Sequence, residues 1–268
     1  MRFWGHLVAA ACVAVSCAAS AQSFDDVVEG RLLNGWRMED GRHMAAIRLT
    51  LAPGWKTYWR VPGDAGIPPQ FDWSRSVNVA RVAVHWPIPS VFDQNGFTSV
   101  GYAGEVVMPL EVTPKGDGEI ALGGDVQIGV CQDICIPVWL QVGGALRADA
   151  SAGSEMIRSV LANQPMTASE AQVGAVSCQV EPISDGMRVT VALSMPPIAG
   201  DEAAVLEYSD PEIWVSEAQT ERDGNQLVAV ADLVPPNAQP FALSREGLRF
   251  TVLGEGRAVD IRGCTAPG

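Results

Sequence analysis

The chain has 268 residues and a formal net charge of −13, with 18 Lys and Arg against 31 Asp and Glu. Such an acidic balance repels phosphate backbones and anionic lipid, so nucleic acid is excluded as a partner. Hydrophobic residues make up 47% of the chain, enough for a folded core; 27 Gly and 18 Pro cut them into short runs, and the length predicts one or two domains.

Residues 1–21 read as a secretory signal peptide. Arg2 supplies the positive start, Leu7 to Ala19 is an apolar run too short to span a bilayer stably, and Ala19-Ser20-Ala21 ends it with small residues. Ala14 to Cys17 lacks the leucine that usually opens a lipobox, so lipidation at Cys17 is not expected. No later stretch has the length of apolar residues that a membrane helix needs, and the mature chain is expected to be soluble and exported. Cleavage removes Arg2, Cys12 and Cys17, leaving a charge of −14 and four cysteines.

The segments that follow are rich in β-branched and apolar residues: Val27 to Trp36, Met44 to Leu51, Val77 to Val84, Val106 to Val112, Val126 to Val130 and Val138 to Val142. Pro-Gly and Asp-Gly turn signals separate them, which predicts a β-sandwich over residues 22–148. Residues 149–171 are richer in small residues and read as a linker, with a short helix Glu155 to Ala162 capped by Ser154 and stopped by Asn163-Gln164-Pro165. Seven further candidates, from Val173 to Ile261, predict a second sandwich over residues 172–268. The expected class is all-β: two immunoglobulin-like sandwiches joined by a short, partly helical linker.

The stretch Cys131-Gln132-Asp133-Ile134-Cys135-Ile136-Pro137 stands out for its chemistry. Two cysteines this close form a natural pair, and a bridge closing so small a loop adds little stability. Small, strained or exposed disulfides exchange readily, which suggests a reversible dithiol; the plain alternative is an inert hairpin clip. No histidine lies near the pair and structural zinc wants four ligands, so neither metal nor cofactor is expected. A copper-handling module using the same thiolates is the runner-up, against which stands the scatter of the eight methionines. The remaining Cys178 and Cys264 are expected to bridge the ends of the second sandwich. Asp133 sits inside the small ring, and no Lys, Arg or His occurs between Lys115 and Arg147. Sequence neighbours therefore disfavour the thiolates unless folding brings in another group, and the dithiol is expected to be sluggish until a partner docks.

Several segments in order resemble the N-terminal (alpha) periplasmic domain of the DsbD family of thiol:disulfide interchange proteins, and more closely its ScsB branch. These are Pro53-Gly54-Trp55-Lys56-Thr57-Tyr58-Trp59-Arg60, Pro62-Gly63-Asp64-Ala65-Gly66, Trp86-Pro87-Ile88-Pro89, Val100-Gly101-Tyr102 with Val106-Val107-Met108-Pro109, and the Cys131 to Pro137 element. The resemblance implies a periplasmic domain whose Cys131 and Cys135 take electrons from a membrane-embedded donor and pass them to exported thioredoxin-like or disulfide-containing proteins. Cys135 would face the partner. The donor is expected to be a separate polypeptide, since neither a transmembrane core nor a thioredoxin-like domain is read in this chain, and the cysteines stand closer together than in DsbD itself. The oligomeric state is left open. Related domains shield the disulfide with an aromatic loop, for which Phe92 and Phe97 are candidates here, with Tyr102 and Asp133 as further shielding or partner-contact residues. Trp55, Tyr58, Trp59, Trp86 and Tyr102 could line or cover the disulfide, although core and turn packing is the commoner role for any single one of them.

Overall fold

The structure is a computed structural model, which describes residues 27–63, 66–94, 97–149 and 153–267. The signal-peptide reading of residues 1–21 lies outside that range. The first half contains strands β1 (Val28–Arg37), β2 (His43–Leu51), β3 (Lys56–Gly63), β4 (Gln70–Asp72), β5 (Val79–Val84), β6 (Ser90–Gln94), β7 (Phe97–Ala103), β8 (Glu105–Pro114), β9 (Ile120–Cys131) and β10 (Cys135–Leu146). Helix α1 (Ser154–Ala162) follows. Then come β11 (Met166–Thr167), β12 (Val176–Pro182), β13 (Met187–Ser194), β14 (Ala203–Tyr208), β15 (Trp214–Val215), β16 (Gln219–Asp223), β17 (Gln226–Val234), β18 (Leu248–Gly254) and β19 (Arg257–Arg262).

Each half is a sandwich of two sheets. In the first, β1-β2-β8-β5 faces β10-β9-β3-β7-β6, with β4 added on β9. In the second, β11-β19-β18-β14 faces β12-β13-β17-β15, with β16 added on β17. Each half has its own apolar cluster, centred on Ile47, Trp59, Leu110 and Ile128 in one and on Val191, Leu193, Leu227 and Phe250 in the other. Leu253 and Ala258 of the second half are buried in the first cluster, so the sandwiches are packed against each other.

The pattern of burial follows from what covers each sheet face. Alternation is regular along β13 and β17, as expected for strands with one face in a core. It fails along β2, where five consecutive residues from His43 to Ile47 are buried. The cause is α1: Ile157 packs on Met44, Ala46 and Val107, covering the outer face of that sheet. The helix begins at Ser154, which is not its cap; Gly153 holds that position, and the Ser154 hydroxyl instead donates to the Gly35 carbonyl at 3.3 Å. The connection is thus shared between the halves, because β11 pairs in parallel with β19 of the second sandwich.

Cys178 in β12 is bonded to Cys264, which follows β19. The bridge closes a loop of 86 residues, and by the chain-entropy argument it contributes about 4 kcal/mol.

His43 opens β2 with no exposed surface, and its Nε2 lies 3.2 Å from Asn34 Oδ1. Burial, and secondarily the charge of Arg37, lowers its pKa from 6.5 to about 4. The unfolded chain therefore takes up a proton that the folded state refuses. Stability is complete above pH 6.5 and falls as the pH drops towards 4, by roughly 3 kcal/mol. Urea unfolding midpoints measured from pH 7 to pH 4 should show this decline, and His43→Gln should flatten it. An equally steep decline in the variant would assign the acid lability elsewhere.

Candidate functional site

Strands β9 and β10 pair without interruption from Leu146↔Ile120 to Cys135↔Cys131. The ladder carries the two cysteines to directly opposed positions at its last rung, with Gln132, Asp133 and Ile134 as the loop. Their Cα atoms are 4.2 Å apart and the sulfurs are bonded. The two ends of the bond differ in access: Cys131 is 5% exposed, whereas Cys135 is only half-buried. The sulfur of Cys135 thus belongs to the more exposed of the two residues.

The group that folding brings to this sulfur is the phenol of Tyr58, whose oxygen lies 3.0 Å from Cys135 Sγ. A disulfide sulfur carries no proton, so the hydroxyl is the donor. Tyr58 is 2% exposed, and burial raises its pKa, which keeps it a protonated donor. Its ring occupies a slot made by missing side chains. A Cβ on Gly129 would lie 2.9 Å from Tyr58 Cδ2, and one on Gly66 would lie 2.8 Å from Cδ1. The even alternation of β9 ends at this point, with Gly129, Val130 and Cys131 all buried, because the Tyr58 ring covers the face that is half-open further along. The neighbouring Thr57 hydroxyl donates to the Gly129 carbonyl at 2.8 Å and secures β3 against the hairpin.

The second group brought in is Lys56. It pairs in register with Cys131, and its ammonium donates to Ser99 Oγ at 3.2 Å while lying 5.3 Å from the centre of the Phe92 ring. Burial lowers its pKa. Trp55, Lys56, Phe92, Gly104, Gln132 and Asp133 border an open groove of about 350 Å³ beside the disulfide loop.

The residues singled out in sequence fall into three groups. Cys131, Cys135, Phe92 and Asp133 meet at this end of the first sandwich, with Asp133 exposed in the loop and Phe92 half-buried on the groove wall. Phe97 opens β7, and its side chain lies outside the described residues. Tyr102 is only 7% exposed, packed in the first core, and its hydroxyl donates to the Pro87 carbonyl at 2.9 Å in the connection between β5 and β6, away from the groove wall. Cys178 and Cys264 are in the other sandwich. Tyr58 was one of five aromatic residues that could cover the disulfide, with packing the favoured role, and its own neighbours do not single it out, since its partner lies 77 positions away. Gly129 was the available signal: a glycine in a central strand often marks the close approach of another group.

Residues 30–141 match the family described as thiol:disulfide interchange protein DsbD, N-terminal. The match lies within the first sandwich and takes in both Cys131 and Cys135. The crystal structure of the N-terminal periplasmic domain of ScsB from Proteus mirabilis is similar over both sandwiches, with 25% identity and a TM-score of 0.67, covering 90% of this chain and 92% of that one. No curated protein matches the chain. Among the described residues, no helix is long and apolar enough to cross a membrane.

A hydroxyl held 3.0 Å from Cys135 Sγ would stabilise a thiolate formed there on reduction, since hydrogen bonds to ionised acceptors are about twice as strong as neutral ones. Tyr58→Phe removes the donor and leaves the ring. Alkylation of reduced Cys135 at pH 7 should then slow about tenfold, read by peptide mass spectrometry. An unchanged rate would reduce the contact to packing.

Proposed function

We propose that this chain is a periplasmic thiol–disulfide exchange protein that relays electrons from a separate membrane-embedded donor to exported thioredoxin-like or disulfide-containing proteins. The observation that carries the reading is the asymmetry of the pair: an accessible, hydrogen-bonded Cys135 joined to a buried Cys131. In the accepting step a donor thiolate attacks Cys135 Sγ, the Cys131–Cys135 bond breaks, and Cys131 leaves as a thiolate and takes a proton. A second donor thiolate attacks the same mixed disulfide at its own sulfur, releasing oxidised donor and the reduced pair. In the delivering step the Cys135 thiolate attacks a substrate disulfide and expels one substrate thiolate. Cys131 then attacks Cys135 Sγ, re-forming the internal bond and releasing the second substrate thiol. Two electrons and two protons enter in the accepting step and leave in the delivering step, with no cofactor.

The proposal includes export directed by residues 1–21, a redox unit over 22–148, a connection over 149–171 and a second unit over 172–268. The match of residues 30–141 to the DsbD N-terminal family and the likeness to the ScsB domain support it. So does the position of the groove beside the disulfide loop, where Phe92 and Asp133 would serve as partner contacts.

Glutathione buffer should open Cys131–Cys135 in the purified protein while Cys178–Cys264 stays closed. In cells with the natural donor and substrates, Cys131→Ala should accumulate a reductant-sensitive adduct through Cys135, and Cys135→Ala should not. Adducts formed only by Cys135→Ala would exchange the two roles. Absence of adducts from both variants, together with tight Cu(I) binding by the purified protein, would favour the copper-handling alternative.

A further inference from the structure

The segment that carries Tyr58 is weakly held by its own sheet. Strand β3 pairs with β9 only through Lys56 and Thr57, and its pairing with β7 is regular only as far as Tyr58↔Gly101, after which the register shifts before Gly63↔Ser99. Residues 59 to 62 therefore leave the ladder directly after the side chain that contacts Cys135. What anchors them comes largely from elsewhere. Trp59 is fully buried in the first core, and the Arg60 guanidinium lies 3.7 Å from the centre of its ring.

Arg60 then reaches into the second sandwich. Its Nε donates to Glu207 Oε1 at 2.9 Å and its terminal nitrogen to Glu207 Oε2 at 2.8 Å, the paired geometry that fixes direction as well as distance. The same nitrogen donates to the hydroxyl of Thr251, which has no exposed surface, at 3.2 Å. Arg60 and Glu207 side chains are 14% and 19% exposed, so the pair is shielded from solvent and salt. Glu207 is in β14 and Thr251 in β18, adjacent strands of one sheet, and Arg249 of β18, itself bonded to Asp260 of β19, stands 3.9 Å from Glu207. The second sandwich thus offers a rigid socket to a side chain two positions from Tyr58.

We infer that the second sandwich is a positioning clamp for the redox pair, in which Glu207 and Thr251 hold Arg60, and through Arg60 hold the Tyr58 hydroxyl against Cys135. The inference rests on the exchange reading above and gives the second sandwich a part in it. Glu207, Thr251 and Arg60 are positioning residues; none touches a reacting sulfur.

The test follows alkylation of Cys135 by iodoacetamide against pH, on the whole chain reduced in glutathione buffer. Glu207→Gln removes the charge and keeps the shape; Thr251→Val removes the second acceptor without a cavity. Both should move the pH midpoint of alkylation upward and slow the reaction at pH 7, with Glu207→Gln slower by at least roughly threefold. Lys56 and Asp133, the charged groups beside the same hairpin, are untouched by either change. Because the clamp acts through Tyr58, adding Glu207→Gln to Tyr58→Phe should slow the reaction no further. Wild-type-like pH profiles in both clamp variants overturn the inference. So does a Glu207→Gln effect that multiplies fully onto that of Tyr58→Phe, or a fall in melting temperature with the profile unchanged. If the wild-type Cys131–Cys135 bond fails to open in glutathione buffer, the exchange reading itself falls, and the clamp with it.

Discussion

The redox pair depends on register. Cys131 and Cys135 can bond within a three-residue loop because β9 and β10 place them opposite each other. Side chains alternate between faces with a period of two, so a slip of one residue would turn one cysteine towards the opposite face from the other. The long ladder behind them prevents this. Its inward residues, Ile120, Leu122, Val126, Ile128 and Val130 on β9 with Val138, Val142 and Leu146 on β10, are buried in one core, and any slip would expose them. The position of two sulfurs is thus enforced by apolar residues spread over the length of the hairpin.

The same end of the hairpin surrounds the two cysteines differently. Cys131 is enclosed, and the acidic Asp133 stands exposed in the loop between them. The phenol of Tyr58 acts on Cys135 alone. The pair is therefore asymmetric: Cys135 is half-buried and receives a donor, whereas Cys131 is enclosed. Glycines make this possible, since Gly129 and Gly66 leave the width of an aromatic ring between strands that would otherwise pack side chain to side chain.

The other elements act by covering faces. Helix α1 closes the outer side of β2 and β8, which allows β2 to be apolar on both faces. The second sandwich covers the first near β3 and β6, where Leu253 and Ala258 enter the first core and Arg60 enters the second sheet. A buried ion pair is a modest source of stability, because desolvation offsets much of the attraction. Its contribution here is directional: it holds an irregular stretch of β3 where backbone pairing is absent.

Much of this was legible in the sequence. Alternating apolar segments and turn dipeptides indicated an all-β chain in two sandwiches, because strand periodicity is a local property. The strands recognised from β-branched runs, β1, β2, β8, β13, β17 and β18 among them, are those whose apolar faces form the cores. The Cys131 to Cys135 spacing and the Pro-Gly and aromatic motifs pointed to the chemistry for the same reason. What escaped was held by tertiary contacts. Strands β3, β6 and β7 carry Pro, Gly and polar residues and read as loops, since their pairing is irregular and their neighbours distant. The cap of α1, the burial of Tyr102, the meeting of Tyr58 with Cys135 and of Arg60 with Glu207 join residues up to 147 positions apart. Sequence by itself determined which residues could do the chemistry. Only the folded chain decided which cysteine is the more exposed and which donor reaches it, because burial and hydrogen bonding are set by neighbours in space.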